Sequence, residues 1–330
     1  MFFQQEKRAS RGQGNFRATG EEIILDDKRL VVFFSEICTM FADFSTCPLN
    51  KESEVAMFRM PPYVGITGFM ANELVDLNYA SHKAGIAKRN MVLSAGILMS
   101  EKTLKGEGDK YPNKYPVREN VHEILRCGDD HTINTIHYST DNVDTLELQL
   151  MTMVGMYGWI TVNDPITHHE RLVLDGFQLN VPWPPIARIK GFVDMCRTAE
   201  RKMFVVLQVG SQALAQIEHS PSHLAEKLKG YGDLIDAVLL DPSGGTGTSM
   251  DVKIIRPLLE SIHNNGQFGV GIAGGLCAEA FNGDIGQLLR DFPETSVDAE
   301  GKLRDENGEL DKKKAEAYIR GAFEFYPSRQ

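Results

Sequence analysis

From residue 61 onward the chain alternates short, unbroken apolar runs with stretches whose apolar residues recur every three or four positions. The runs at 63–67, 91–99, 132–139, 176–180, 203–209, 235–240, 269–273 and 295–298 read as strands. A run without polar alternation suits a strand covered on both faces. Between the runs, Met70, Leu74 and Leu77 share one helical stripe, as do Leu146, Leu150, Met153 and Tyr157, and later Ile255, Leu258, Leu259 and Ile262. Pro184 and Pro185 open a further helix carrying Ile186, Ile189, Val193 and Cys196, and helices are also expected near 117–126 and 278–289. Parallel strands joined by helical crossovers satisfy this alternation. Eight such units predict a closed (β/α)8 TIM barrel over 61–330, and an open doubly wound sheet is the competing arrangement. Residues 1–60, polar at first with one apolar run at 30–34, are expected to be a partly disordered N-terminal extension.

Composition narrows the partners. The formal net charge of −10 disfavours phosphate backbones and anionic lipid, so neither nucleic acid nor a membrane is expected as partner. The five cysteines, Cys38, Cys47, Cys127, Cys196 and Cys277, are odd in number and widely spaced. Together with a start that lacks a signal-peptide pattern, they point to a cytoplasmic, reduced setting. No CxxC or zinc-type spacing occurs, and His168-His169 and the His219/His223 pair lack a third ligand in sequence. Neither metal nor cofactor is expected, and the oligomeric state is left open.

In a barrel of this kind functional groups sit where strands end. The sixth strand ends at Asp241 and runs into Gly244, Gly245, Thr246 and Gly247, and the seventh runs into Gly274 and Gly275. Two glycine-rich turns on neighbouring strands make a candidate phosphate cradle, because unencumbered backbone N–H groups attract anions. Gly269, Gly271 and Gly274 also satisfy GxGxxG, but no strand precedes the first glycine, so a dinucleotide site is not expected. Asp241 is a candidate general acid, or else a carboxylate that caps its own loop through Ser243 or Gly244. His137 on the third strand is a candidate base, since imidazole titrates near neutrality, or else a hydrogen-bonded core residue. Gln178, Asn180 and Gln208 are candidate substrate contacts, and Asp164 is a further candidate base. A basic-aromatic loop after the second strand carries Lys102, Lys105, Lys110, Lys114, Tyr111 and Tyr115. The charge run 298–314 is expected to face solvent.

Several of these segments resemble phosphoribosylanthranilate isomerase, a barrel enzyme that performs an Amadori rearrangement in tryptophan biosynthesis. LLDPSGGTGTSMD (239–251), GIAGGL (271–276) and SVD (296–298) are similar to that family's LLDSxGGTGxxFDW, LAGGL and GVDVSSG. VGIT (64–67) and FQLN (177–180) resemble its KICGIT and VQLHG, in the same order. The resemblance implies an isomerase binding a small phosphorylated, sugar-type metabolite, with Asp241 as general acid and the phosphate near Gly245–Gly247 and Gly274–Gly275. It also marks departures. Val64 stands where the family has its cysteine base, Asn180 where it has a histidine, and Ala299-Glu300 where two serines help bind phosphate. The segment 99–105 replaces the family's SPR. A barrel that binds or assembles without catalysis is the alternative these departures suggest.

Overall fold

The computed structural model describes residues 60–70, 73–88, 91–164, 168–243 and 250–326. The expected extension 1–60, apart from Met60, and Gly244, Gly245, Thr246 and Gly247 lie outside them.

Eight parallel strands close into a barrel: β1 (Tyr63–Thr67), β2 (Val92–Ser100), β3 (Thr132–Ser139), β4 (Gly176–Leu179), β5 (Phe204–Gly210), β6 (Ala237–Asp241), β7 (Gly269–Ala273) and β8 (Ser296–Ala299). Each strand pairs with its sequence neighbours, and β8 returns to β1 through Val64 opposite Val297 and Ile66 opposite Ala299. The eight principal crossover helices are α1 (Glu73–Lys83), α2 (Val121–Leu125), α3 (Leu146–Tyr157), α4 (Ile186–Thr198), α5 (Pro221–Lys229), α6 (Val252–Asn265), α7 (Asp284–Asp291) and α8 (Lys312–Phe323). Their starts follow local chemistry. Asp251 and Asp311 accept N–H groups of the first turns of α6 and α8, and Ser220 with Pro221 opens α5. The open-sheet alternative is thereby excluded.

Two apolar compartments result. The larger lies between strands and helices and contains Val64, Ile66, Leu74, Leu259 and Tyr318. The smaller fills the barrel at the end where the strands begin, with Met60, Tyr63, Ile133, Val206, Ala237 and Leu239. Inward positions therefore alternate with outward ones, as two-sided burial of a strand requires. Toward the strand ends the inward series turns polar, with Thr67, His137, Gln178, Gln208, Asp241 and Asp298 all buried.

Three local features depart from expectation. A two-stranded antiparallel hairpin, Thr161–Asn163 with Glu170–Leu172, lies between α3 and β4. The expected helix at 278–289 is a 3₁₀ turn, Ala278–Asn282, followed by α7. The segment 298–314 is not uniformly solvent-facing: Asp298, Leu303 and Arg304 are buried. Asp298 belongs to β8, and the Arg304 guanidinium donates to the carbonyls of Thr67 (3.1 Å), Gly68 (2.7 Å) and Gly308 (3.0 Å). Among the described residues no helix is long and apolar enough to cross a membrane.

Candidate active site

The polar side chains at the strand ends lie in one continuous series of contacts at hydrogen-bond distance. Thr67 Oγ1 at the end of β1 donates to the Asp298 carboxylate of β8, at 3.0 Å from Oδ1 and 3.3 Å from Oδ2. The same hydroxyl lies 3.1 Å from His137 Nδ1 on β3. Gln178 Nε2 on β4 is 3.1 Å from that Nδ1 and donates to Gln208 Oε1 on β5 at 3.1 Å. Gln208 Nε2 then donates to Asp241 Oδ2 on β6 at 2.8 Å. Asp241 Oδ1 accepts the Ser243 N–H (3.1 Å) and Oγ–H (2.7 Å). Two carboxyl groups are thus the ends of an open arc of polar contacts around the barrel mouth.

The backbone makes this possible. Thr67 and His137 lie on strands separated by β2, and they meet because β2 presents Gly96 between them. A Cβ at Gly96 would lie 2.5 Å from His137 Cε1 and 2.7 Å from Thr67 Oγ1. Gly65 clears the same kind of space for Asp298, whose Cγ would lie 2.9 Å from a Cβ there.

The protonation states follow from burial. His137 is enclosed, and loss of hydration drives its pKa down to about 3. Its ring is neutral near pH 7, and its Nε2 lies 3.1 Å from Thr135 Oγ1. Asp298 moves the other way. Burial, reinforced by the negative charges of Glu300 and Asp241 and opposed by the Thr67 hydrogen bond, raises its pKa to about 7. A carboxyl that titrates near neutrality can both accept and return a proton. One hydroxyl hydrogen then carries a choice. Thr67 donates to Asp298 when that carboxylate is charged, and it is free to donate to His137 Nδ1 when Asp298 holds its own proton.

The other expected site residues distribute as follows. Asn180 is exposed just past β4, with its N–H on the Tyr138 carbonyl. Gly274 and Gly275 both have positive φ, at 115° and 63°, and a Cβ at Gly274 would lie 3.4 Å from Asp241 Oδ1. The seventh-strand turn therefore adjoins Asp241. Asp164 sits on the opposite end of the barrel, where its Oδ2 accepts the Asp130 N–H just before β3. Val64 faces the helices in the outer apolar compartment, so no side chain at that position reaches the mouth. In the basic-aromatic loop, Lys114 Nζ pairs with Glu300 Oε1 at 2.7 Å, and Asn113 donates to the Asn307 carbonyl at 2.8 Å. The loops after β2 and β8 are thereby tied together, and the charge of Glu300 is matched. Asp298, the carboxyl whose titration is pushed up to about 7, was not among the sequence candidates. Its signal was the inward period of β8 set against a final acidic residue.

No family model matches the chain, and no curated protein matches it. Among solved structures, phosphoribosylanthranilate isomerase from Thermotoga maritima is similar at 16% identity with a TM-score of 0.47, covering 80% of this chain and 99% of that one. The mutually generated monomers of the dimeric enzyme from the same organism give 16% and 0.46 over the same shares. Triosephosphate isomerase from Bartonella henselae gives 10% and 0.41, again covering 80% and 99%. The barrel itself rests on its closed strand ladder, and the chemistry of the mouth on this chain's own side chains.

Proposed function

We propose that the chain is an acid–base enzyme acting on a small phosphorylated, sugar-type substrate at the barrel mouth, by an isomerisation of the Amadori kind. Asp298 is the base that removes a proton from carbon, and Asp241 is the acid that serves the ring oxygen. The observation that carries this reading is the displacement of the Asp298 titration to about 7 in a site that also holds Asp241. It supplies a proton acceptor where the resemblance, through Val64, left none. His137, neutral with a pKa near 3, holds the Thr67 and Gln178 side chains in register and is a positioning residue. The phosphate is assigned to the turn at Gly274 and Gly275 together with Gly244–Gly247, and Gln178, Asn180 and Gln208 are assigned to the sugar portion.

Turnover of phosphoribosylanthranilate by the purified chain, or growth of a tryptophan auxotroph carrying it, tests the family reaction. Failure of both, with sugar phosphates still bound, leaves a different isomerisation or the non-catalytic reading. That second reading has its own support, because both oxygens of Asp241 are engaged, by Gln208 and Ser243. Asp241→Asn separates the two. An acid lost costs roughly 10²- to 10⁴-fold in kcat, whereas a loop cap lost alters stability and leaves ligand affinity in place.

Lys114→Ala tests the anion assignment. The pair with Glu300 is partly exposed, so stability should change by no more than about 1 kcal/mol. Glu300 then loses its ion-pair partner, with the Arg304 guanidinium as the remaining nearby positive charge. Affinity for inorganic phosphate, followed by calorimetry, is expected to fall about fivefold at low salt, with the difference shrinking as ionic strength rises. Equal affinity in both proteins at low salt removes Glu300 from the neighbourhood of the anion.

A further inference from the structure

At the end of the barrel away from the mouth, three potential metal ligands converge: His82 in the last turn of α1, and Asp129 and His131 in the segment leading into β3. One donor atom from each lies within 4.8 Å of the others. We infer that His82, Asp129 and His131 bind a divalent ion of the zinc class, which staples α1 to the start of β3.

The arrangement has the parts such a site requires. Asp129 is buried, and its two oxygens are divided between tasks. Oδ1 accepts the His131 N–H at 2.9 Å and the Thr132 hydroxyl at 2.8 Å, which fixes the carboxylate plane. Oδ2 is left facing His82 Nε2 at 2.8 Å. Ligating carboxylates are held in this way by outer hydrogen bonds. Thr132 Oγ1 also lies 3.0 Å from Asn78 Oδ1, and Asn78 donates to the Cys127 carbonyl at 2.7 Å, so the outer contacts reach back to α1. A hydrogen bond between His82 and Asp129 accounts for His82 alone. It does not account for His131, whose ring packs edge-on to His82 with centroids 5.0 Å apart and makes no side-chain hydrogen bond among the described residues.

The donor set selects the ion. Two imidazole nitrogens and one carboxylate oxygen suit zinc and its first-row neighbours, whereas calcium and magnesium take oxygen ligands. Zinc bonds of about 2.0–2.2 Å in a tetrahedron separate ligand atoms by about 3.3 Å. The 2.8 Å contact between His82 and Asp129 opens by about half an ångström, and the wider gaps close by side-chain rotation. As the ion takes the place of the hydrogen between Nε2 and Oδ2, the neutral imidazole carries its one N–H on Nδ1, and water completes the coordination. His82 and His131 are only partly buried, so the ion has a route in.

The test uses the full chain, stripped of metal and titrated with Zn²⁺ against a chromogenic chelator, then with Co²⁺ followed by visible absorption. One ion per chain is expected, with the intense visible bands of four-coordinate Co²⁺. His82→Gln and His131→Gln, both at partly exposed positions, should each weaken binding by roughly a hundredfold or more, and Thr132→Val by about tenfold through the carboxylate it orients. Melting curves of the metal-free variants check folding, and the gain in melting temperature with zinc should be largely lost in the two histidine variants and reduced in Thr132→Val. Binding by the parent no tighter than by His131→Gln, or cobalt spectra unchanged by either histidine substitution, overturns the assignment and places any bound ion elsewhere.

Discussion

Asp298→Asn is expected to lower kcat by roughly 10²- to 10⁴-fold, the usual contribution of a positioned general base, while making the folded protein more stable above neutral pH. The two effects share one cause. Unfolded, the carboxyl loses its proton near its ordinary value of 3.8; folded, burial holds that proton until about pH 7. Across the interval between them the native state binds more protons than the unfolded state, so rising pH weakens the fold, and above about 7 the loss is complete. A displacement of about three pH units corresponds to roughly 4 kcal/mol. Asparagine keeps the shape and cannot ionise, so this pH-dependent loss should be absent from the variant. Urea unfolding at pH 5 and pH 8, run beside kinetic assays, checks both arms. A variant that retains turnover removes Asp298 from the chemistry. A parent and variant with parallel pH dependence of stability would show that the carboxyl is not held neutral in the fold.

A large, purely structural effect is expected at Gly176, the first residue of β4. A Cβ there would lie 2.2 Å from the Phe204 carbonyl oxygen and 2.8 Å from its carbon, in the backbone of the neighbouring strand. Backbone cannot swing aside as a flexible side chain does. Gly176→Ala should therefore cost about 3 kcal/mol, the upper part of the range for overpacking. Because β4 and β5 carry Gln178 and Gln208, the variant should also loosen the polar chain at the mouth. Denaturant midpoints of parent and variant measure the first effect. Hydrogen exchange of the β4 and β5 amides measures the second, and unchanged protection there would confine the damage to the strand start.

The barrel was legible because strands buried on both faces read as largely apolar runs, as at 91–99, 203–209, 235–240 and 269–273, and all eight strands were placed near their observed positions. The hairpin at Thr161–Asn163 and Glu170–Leu172 was not, because three-residue, largely exposed strands carry no such run. Gln178, Gln208, His137 and Asp241 were legible as polar residues at strand ends. What joins them was not, since it depends on Gly96 leaving space between β1 and β3. Asp298 was read with the charged residues that follow it, although the alternation of Ser296 and Asp298 against Val297 already turned it inward. The outward aim of Val64 could be read from the same alternation, counted back from Thr67. His82 and Asp129 are 47 residues apart, and only the closure of β2 against β3 brings helix end and strand start together.

The carboxamides of Gln178 and Gln208 stand between the imidazole and Asp241. An amide passes on the orientation of a dipole but does not relay a net proton by simple rotation, as water or a hydroxyl can. The two acidic groups are thus electrically aware of one another yet keep separate proton reservoirs. Under the proposed chemistry, a hydrogen taken from carbon at Asp298 would not circle the rim to reappear at Asp241, so the proton delivered at Asp241 would come from the surrounding water.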